Sequence, residues 1–388
     1  MTRKAHAYPV QGDKGVGKTK NNPCIIVALT LARALGDFID QQLFAASTAL
    51  LFDHTRLYVY FRDDRPYKAP LVALNPWLTR SFALEGEASY PFEAFDNRHS
   101  GRASDLDPAW WDERCANAHI LLTPSMMQRS MLPAFPCCGH LRIPRAEALA
   151  LDEQLIEAGV EPDRWFCILH YREPTYGPRG EAKGRDLDPE MPAVIVKHIA
   201  LGLEGQVVRI GHPGMGSLPR IPGIVDLSER ENSILLHAHA AARARFFCEL
   251  SPSGPVHLAG AFGTPALRCN AMQGWGPLDS KSIVVLQHFH YRSGHPIPRE
   301  RLMQGDLLSA LSNARFREVN GITNEMNTLD EIYAAIHDML ERTSDCTGWR
   351  KQEPAVPGPV PNCFNWPLAH GYRHEIKEYG LLRTGGTS

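Results

Sequence analysis

The chain is built on short, continuous apolar runs, each followed by a polar turn and then by apolar residues at helical spacing. Cys24–Leu31 (CIIVALTL) is unbroken rather than alternating and rich in β-branched residues, the pattern of a strand covered on both faces. Ala34–Asp37 reads as a turn, and Phe38–Phe52 as a helix with a stripe at Phe38, Ile39, Gln42, Leu43 and Ala46. Arg56–Phe61 (RLYVYF) is a second strand. Strand, turn, helix and strand make a βαβ unit, whose strands are parallel and whose class is α/β.

The second half repeats the rhythm. Trp165–Leu169, Gln206–Ile210, Ile224–Leu227 and Arg245–Glu249 read as strands, with helices over 189–201 and 233–242 and another from Pro255. Asn327-Thr328 caps a last helix, Leu329–Arg342, with acids at Asp330 and Glu331 in its first turn. Between the halves lie a short strand at 118–122 and an amphipathic helix over 146–158. At 388 residues the chain is too long for one compact unit. The expected division is a flexible basic arm over 1–22, domains over 23–150 and 151–345, and a Pro-rich arm over 346–388 packing back on the body. Residues 62–118 are irregular, with aromatics (Tyr67, Trp77, Trp110, Trp111) suited to stacking on an acceptor or to filling a core.

Charge and cysteine content exclude several classes. Lys plus Arg is 41 and Asp plus Glu 43, a net charge of −2, so no general attraction to nucleic acid is expected. The nine cysteines are scattered, with only Cys137 and Cys138 adjoining, which fits neither a zinc ribbon nor a disulfide scaffold. Free thiols in a reducing, cytoplasmic setting are the expectation. The polar N-terminus has no apolar leader stretch, and the longest apolar run, Cys24–Ala32, is too short for a transmembrane segment.

Two loops match chemistry-bearing patterns. Gly12–Thr19 (GDKGVGKT) satisfies the phosphate-loop expression, which would make the chain an NTPase or kinase. The motif needs a buried strand before it and a helix after it. Here KAHAYPVQ precedes and KNNP follows, so a basic arm is the favoured reading. The second loop is Ser251–Pro265 (SPSGPVHLAGAFGTP), directly after the strand ending at Glu249. Its two hydroxyls, Ser251 and Ser253, precede Gly254, where a ligand can approach the backbone, and Pro255 sits in the first helical turn. Free amides at such a turn face the crevice above the strand ends, where open parallel sheets bind ligands.

Ser253–Leu267, of the form S-G-P-x-H-L-A-x-A-x-G-T-P-x-L, resembles the donor-site motif of heptosyltransferase-like glycosyltransferases. Leu35-Gly36-Asp37 before a helix resembles their acceptor-side loop. Leu169–Glu173, Val208–Gly211 and Asn327–Ile332 resemble still more closely a group of bacterial glycosyltransferases related in layout to fucosyltransferase-like enzymes. The resemblance covers roughly residues 24–342. It implies the GT-B fold: two Rossmann-like α/β/α domains with parallel sheets facing across a cleft, the N-terminal one for the acceptor and the C-terminal one for a nucleotide sugar. It also implies an inverting, metal-independent transferase needing no cofactor beyond its donor substrate and acting on a glycan or small-molecule hydroxyl or amine. The proline usual after the Gly-Asp pair is missing, and Ser251-Pro252 replaces an acidic residue, so a nucleotide sugar is implied but not ADP-heptose in particular.

In this frame Asp37 is the expected general base, with helix capping as its alternative role. A departing nucleoside diphosphate needs cations and amides around it. Arg172, just past a strand end, is the expected clamp, or else a surface partner of Glu173. Lys183 and Arg185 lie on the polar loop that follows. His212 at another strand end and His257 in the donor-site helix are further candidate donor contacts, or a turn cap and a packed histidine. Asp105-Leu106-Asp107 and Asp186-Leu187-Asp188 match D-x-D in letters alone. His237, His239, His288, His290 and His295 have no cysteine or carboxylate at ligand spacing, so no metal site is expected. A non-catalytic relative binding a sugar nucleotide is the remaining alternative.

Overall fold

The computed structural model describes residues 23–52, 54–86, 110, 115–127, 141–173, 185–188, 190–229, 234–272, 281–302, 307–311 and 313–351. Gly12–Thr19, Asp105–Asp107, Trp111, Cys137, Cys138 and Lys183 lie outside them, as does most of each expected arm.

Two parallel sheets organise the chain. The first has the order β3-β2-β1-β4, from β1 (Cys24–Thr30), β2 (Thr55–Arg62), β3 (Leu78–Leu84) and β4 (Ile120–Leu122). β1 is interior to the sheet, and Ile26, Ala28 and Leu29 have no exposed surface, which is why its run is apolar on both sides. Helices α1 (Leu35–Leu50) and α2 (Lys68–Ala73) follow β1 and β2. The second sheet has the order β10-β9-β8-β5-β6-β7. Its strands are β5 (Phe166–His170), β6 (Gln206–Arg209), β7 (Ile224–Asp226), β8 (Phe246–Glu249), β9 (Ala266–Ala271) and β10 (Ile283–Leu286). α3 (Arg145–Glu157) joins the halves, and α4 (Glu190–Lys197), α5 (Ile234–Arg243) and α6 (His257–Ala261) belong to the second. A hairpin of β11 (His288–His290) with β12 (Thr323–Glu325), three short helices α7–α9 (Arg299–Leu302, Leu307–Leu311, Ala314–Asn320) and α10 (Leu329–Arg342) complete it. Among the described residues no helix is long and apolar enough to cross a membrane.

Three local outcomes differ from the sequence expectation. The expected turn at 34–37 is already helical from Leu35, so Asp37 lies inside the first turn and the N-cap is Ala34, whose side chain caps nothing. The expected single helix over 189–201 ends at Lys197 and passes into a π turn, His198–Gly202. β3 and β9 carry too many polar residues to show a clean period: β3 is an edge strand with Thr79, Arg80 and Ser81 turned to solvent, and β9 buries Arg268 and Asn270. α10 matches its expected bounds and has a full capping box between Thr328 and Glu331.

One apolar cluster runs through both halves, taking in Ile26, Phe38 and Phe44 from the first, Leu155 from α3, and Phe166, Val208 and Leu258 from the second. One backbone bond crosses the same seam, from the Leu141 amide to Ala261 (2.8 Å), and the neighbouring Arg142 amide ties that segment to Leu74 of the first half (2.8 Å). α3 is fastened to α5 through the Asp152 carboxylate, which holds His239 Nε2 at 2.6 Å and accepts from Arg243 Nε at 2.9 Å. The six described cysteines form no disulfide. Burial pushes the Cys167 thiol in β5 up to about 12, leaving it an inert core residue.

Candidate active site

The carboxyl ends of the two sheets meet at a pair of glycines. β1 leads into α1 through Gly36, and β8 leads through Ser251–Ser253 into a 3-10 turn, Gly254–Val256, that opens α6. A Cβ on Gly36 would lie 3.0 Å from the Gly254 Cα and 2.7 Å from the His257 ring, and a Cβ on Gly254 would lie 3.0 Å from the Gly36 amide nitrogen. A Cβ at Gly36 is closer to the His257 ring than real Cβ atoms come, so glycine is needed there for the two turns to touch, and one at Gly254 would crowd the Gly36 amide. Asp37, half-buried, follows Gly36 directly in the first turn of α1. His257 is buried in the same seam, its Nδ1 2.7 Å from Asp40 Oδ1.

The Ser251–Val256 turn rests on a polar floor. Ser253 donates its amide to Glu249 Oε1 (2.7 Å), and its hydroxyl lies 2.7 Å from His170 Nδ1. The other Glu249 oxygen accepts from Arg268 Nε at 2.6 Å, so the carboxylate, with no exposed surface, is charge-paired. Burial, followed by the nearby His237, His212 and Arg209, drives the His170 pKa down to about 3 and keeps the ring neutral. Ser251 is fully buried and its hydroxyl accepts from the Arg172 amide at 2.7 Å, which makes it a strut between two loops. Asn270 adopts a left-handed φ of 53° and exchanges backbone-to-side-chain bonds with Asn327 (2.5 Å each way), while its Nδ2 donates to the Leu250 carbonyl at the base of the turn.

The cationic candidates lie on adjoining strand ends. Arg172 Nε is 3.3 Å from Asp186 Oδ1, whereas Glu173, its expected surface partner, accepts from the Gly216 amide. Asp186 of the second D-x-D thus faces an arginine. Arg185 is half-buried on the same short segment. His212 is exposed, with Nδ1 2.9 Å from the Pro213 carbonyl, a turn contact. Beneath it, fully buried Arg209 pairs with Asp226 through both Nε (2.9 Å) and Nη2, and Nη1 donates to Tyr171 Oη (2.8 Å).

Two α/β layers with parallel sheets joined at their carboxyl ends define the GT-B architecture. No family model matches the sequence, and no curated protein is similar to it. Among solved structures, the glycosyl transferase family 9 protein of Veillonella parvula matches 84% of this chain and 100% of its own, with a TM-score of 0.51 at 12% identity. The ADP-heptose heptosyltransferase II of E. coli covers 74% of this chain and 98% of its own, with a TM-score of 0.41 at 15% identity. The first of these likenesses establishes the shared fold.

Asp40, His170, Glu249 and Arg268 were not singled out from the sequence. A signal for two of them was present: His170 and Glu249 each end a strand whose other residues are apolar (FCILH, FFCE), so a polar side chain is delivered to the strand end. Asp40 stands three residues after Asp37, on the same helical face.

Proposed function

We propose that the protein is an inverting glycosyltransferase that moves a sugar from a nucleoside-diphosphate sugar to a hydroxyl or amine of a glycan or small molecule. The observation that supports this reading is the close approach of Gly36, which precedes Asp37 in the chain, to Gly254 and His257 of the turn after β8. Asp37 would take the proton from the acceptor as its oxygen or nitrogen attacks the anomeric carbon. The bond from that carbon to the diphosphate oxygen breaks, and the nucleoside diphosphate leaves with the bonding pair. Attack opposite the leaving group inverts the centre.

The leaving charge would be met by Arg172, His257, the Ser253 hydroxyl and the backbone at Gly254, with Lys183, Arg185 and His212 as further donor contacts. This supports departure without a metal ion. Ser251 is assigned to holding the loop. A thermal-shift panel of the four nucleoside diphosphates UDP, GDP, ADP and dTDP, with ATP run beside them and each with and without magnesium, tests the reading. A ligand at a hundred times its Kd stabilises the fold by about 2.7 kcal/mol, a shift of several degrees. One base-selective rise, equal with and without magnesium, is expected. No rise from any of the four sinks the proposal, and a rise confined to ATP with magnesium moves the activity to Gly12–Thr19.

A further inference from the structure

The polar groups of Ser253 are unequally available. The residue is half-buried, as are Pro252, Gly254 and Pro255 beside it, so this stretch of the turn reaches the surface. Its amide is already given to Glu249 Oε1 at 2.7 Å, so an arriving anion meets the hydroxyl and not that N–H. The hydroxyl has two polar neighbours, His170 Nδ1 at 2.7 Å and Glu249 Oε1 at 3.5 Å. What it can offer a ligand depends on where its single proton points.

The His170 ring decides this. It is buried at the end of β5, and burial, with His237, His212 and Arg209 nearby, keeps it neutral, so it carries one N–H. If the serine gave its proton to Nδ1, its oxygen would face both the Glu249 carboxylate and any phosphate with lone pairs alone, which repel. If Nδ1 carries the proton and donates to Oγ, the serine proton is left over. The protein acceptor it then faces, Glu249 Oε1, lies at the long limit for a hydrogen bond and already holds the Ser253 amide. The negative charge on Glu249 favours this second arrangement, which puts a proton between the two oxygens. A phosphate oxygen at ordinary hydrogen-bond distance can take that proton over.

We infer that His170 is a positioning residue: its Nδ1–H donates to Ser253 Oγ and so keeps the serine proton for a phosphate oxygen of a nucleoside-diphosphate donor. The inference rests on the donor reading above and adds to it the group that orients the serine. The turn then recognises its ligand by an oxygen that accepts, as phosphate oxygens do.

The test has a spectroscopic and a binding arm. Nitrogen NMR of the protein with isotope-labelled imidazoles, the His170 signal assigned by its loss in His170→Asn, reports which ring nitrogen bears the proton. Nδ1–H is expected, and Nε2–H at His170 overturns the inference. The binding arm is calorimetric titration with whichever of UDP, GDP, ADP or dTDP binds the wild type most tightly. His170→Asn, whose amide can donate from a similar place, should bind within about threefold of the wild type. His170→Leu, which cannot donate, should bind about five- to tenfold more weakly, the range for one neutral hydrogen bond. In a Ser253→Ala background His170→Leu should weaken binding no further. Wild-type affinity in His170→Leu, or its full loss persisting in the Ser253→Ala background, overturns the inference. A tenfold loss in His170→Asn does the same, and neither that result nor the tautomer depends on His170→Leu folding. A wild type that binds none of the four overturns the donor reading and this inference together, whereas a binding wild type with Nε2–H at His170 overturns the inference alone.

Discussion

The Gly254 Cα lies 3.0 Å from the point where a side chain on Gly36 would begin, so these two residues, 218 positions apart in the chain, are in backbone contact. Gly36→Ala must push the turns apart, because its nearest neighbours are a backbone atom and a buried ring. Overpacking of this kind costs about 1–3 kcal/mol. A lowered Tm and a weaker nucleoside-diphosphate shift are expected together; a Tm unchanged from wild type would mean that the seam gives way freely.

Asp37→Asn keeps the shape of α1 and removes the proposed base. Turnover of the nucleotide sugar should fall by about 10²- to 10⁴-fold, with nucleoside-diphosphate affinity and Tm unchanged. Full turnover in the variant would take Asp37 out of the chemistry.

Ser253 and Arg172 should separate by size of effect. Ser253→Ala removes one neutral hydrogen bond, worth about 0.5–1.5 kcal/mol, and should weaken the donor product by a few-fold in direct titration. Arg172→Ala should slow turnover by roughly tens- to thousands-fold, the range for a lost charge-stabilising group. If Arg172→Ala instead lowers the Tm and leaves the rate alone, its contact with Asp186 is what matters.

Acid should destabilise the fold in a defined window. The His170 pKa is lowered to about 3, and that of His237 to about 4, both mainly by burial. Above pH 6.5 each ring is neutral whether folded or not and contributes no pH dependence. Between 6.5 and these values the unfolded chain binds the protons and the folded one does not, so stability falls as pH falls, by up to about 1.4 kcal/mol per pH unit per histidine. Denaturant midpoints at pH 7 and pH 5 should show the loss. A His170→Asn, His237→Asn double variant should lose less between the same two values, and an equal loss would place the acid sensitivity in other groups.

The strands that give the fold its class were legible because burial on both faces forces an apolar run, as in CIIVALTL and FCIL. Asp37 and the Ser253–His257 turn were legible because glycine and hydroxyl residues punctuate the strand ends. What lay hidden were groups whose meaning depends on a partner distant in the chain. Arg268 and Asn270 break the apolar pattern of β9, and bonds to partners such as Glu249, Leu250 and Asn327 make them suitable for a buried strand. Asp40 reads as one more polar residue in a helix until His257, 217 positions away, is placed against it. Local periodicity carries no information about such pairs.

The apolar cluster that passes from Phe38 and Phe44 through Leu155 to Phe166 and Leu258 bears on how this architecture can diversify. In a two-part enzyme with a polar cleft between its parts, one half can be exchanged for a relative's half to change the sugar delivered. Here the cut would run through a shared interior and would leave greasy surface on both fragments. Recombination at the junction should yield insoluble chimeras unless the facing residues of α1, α3 and α6 travel together, so new specificities are more accessible through the strand-end loops than through swapped halves.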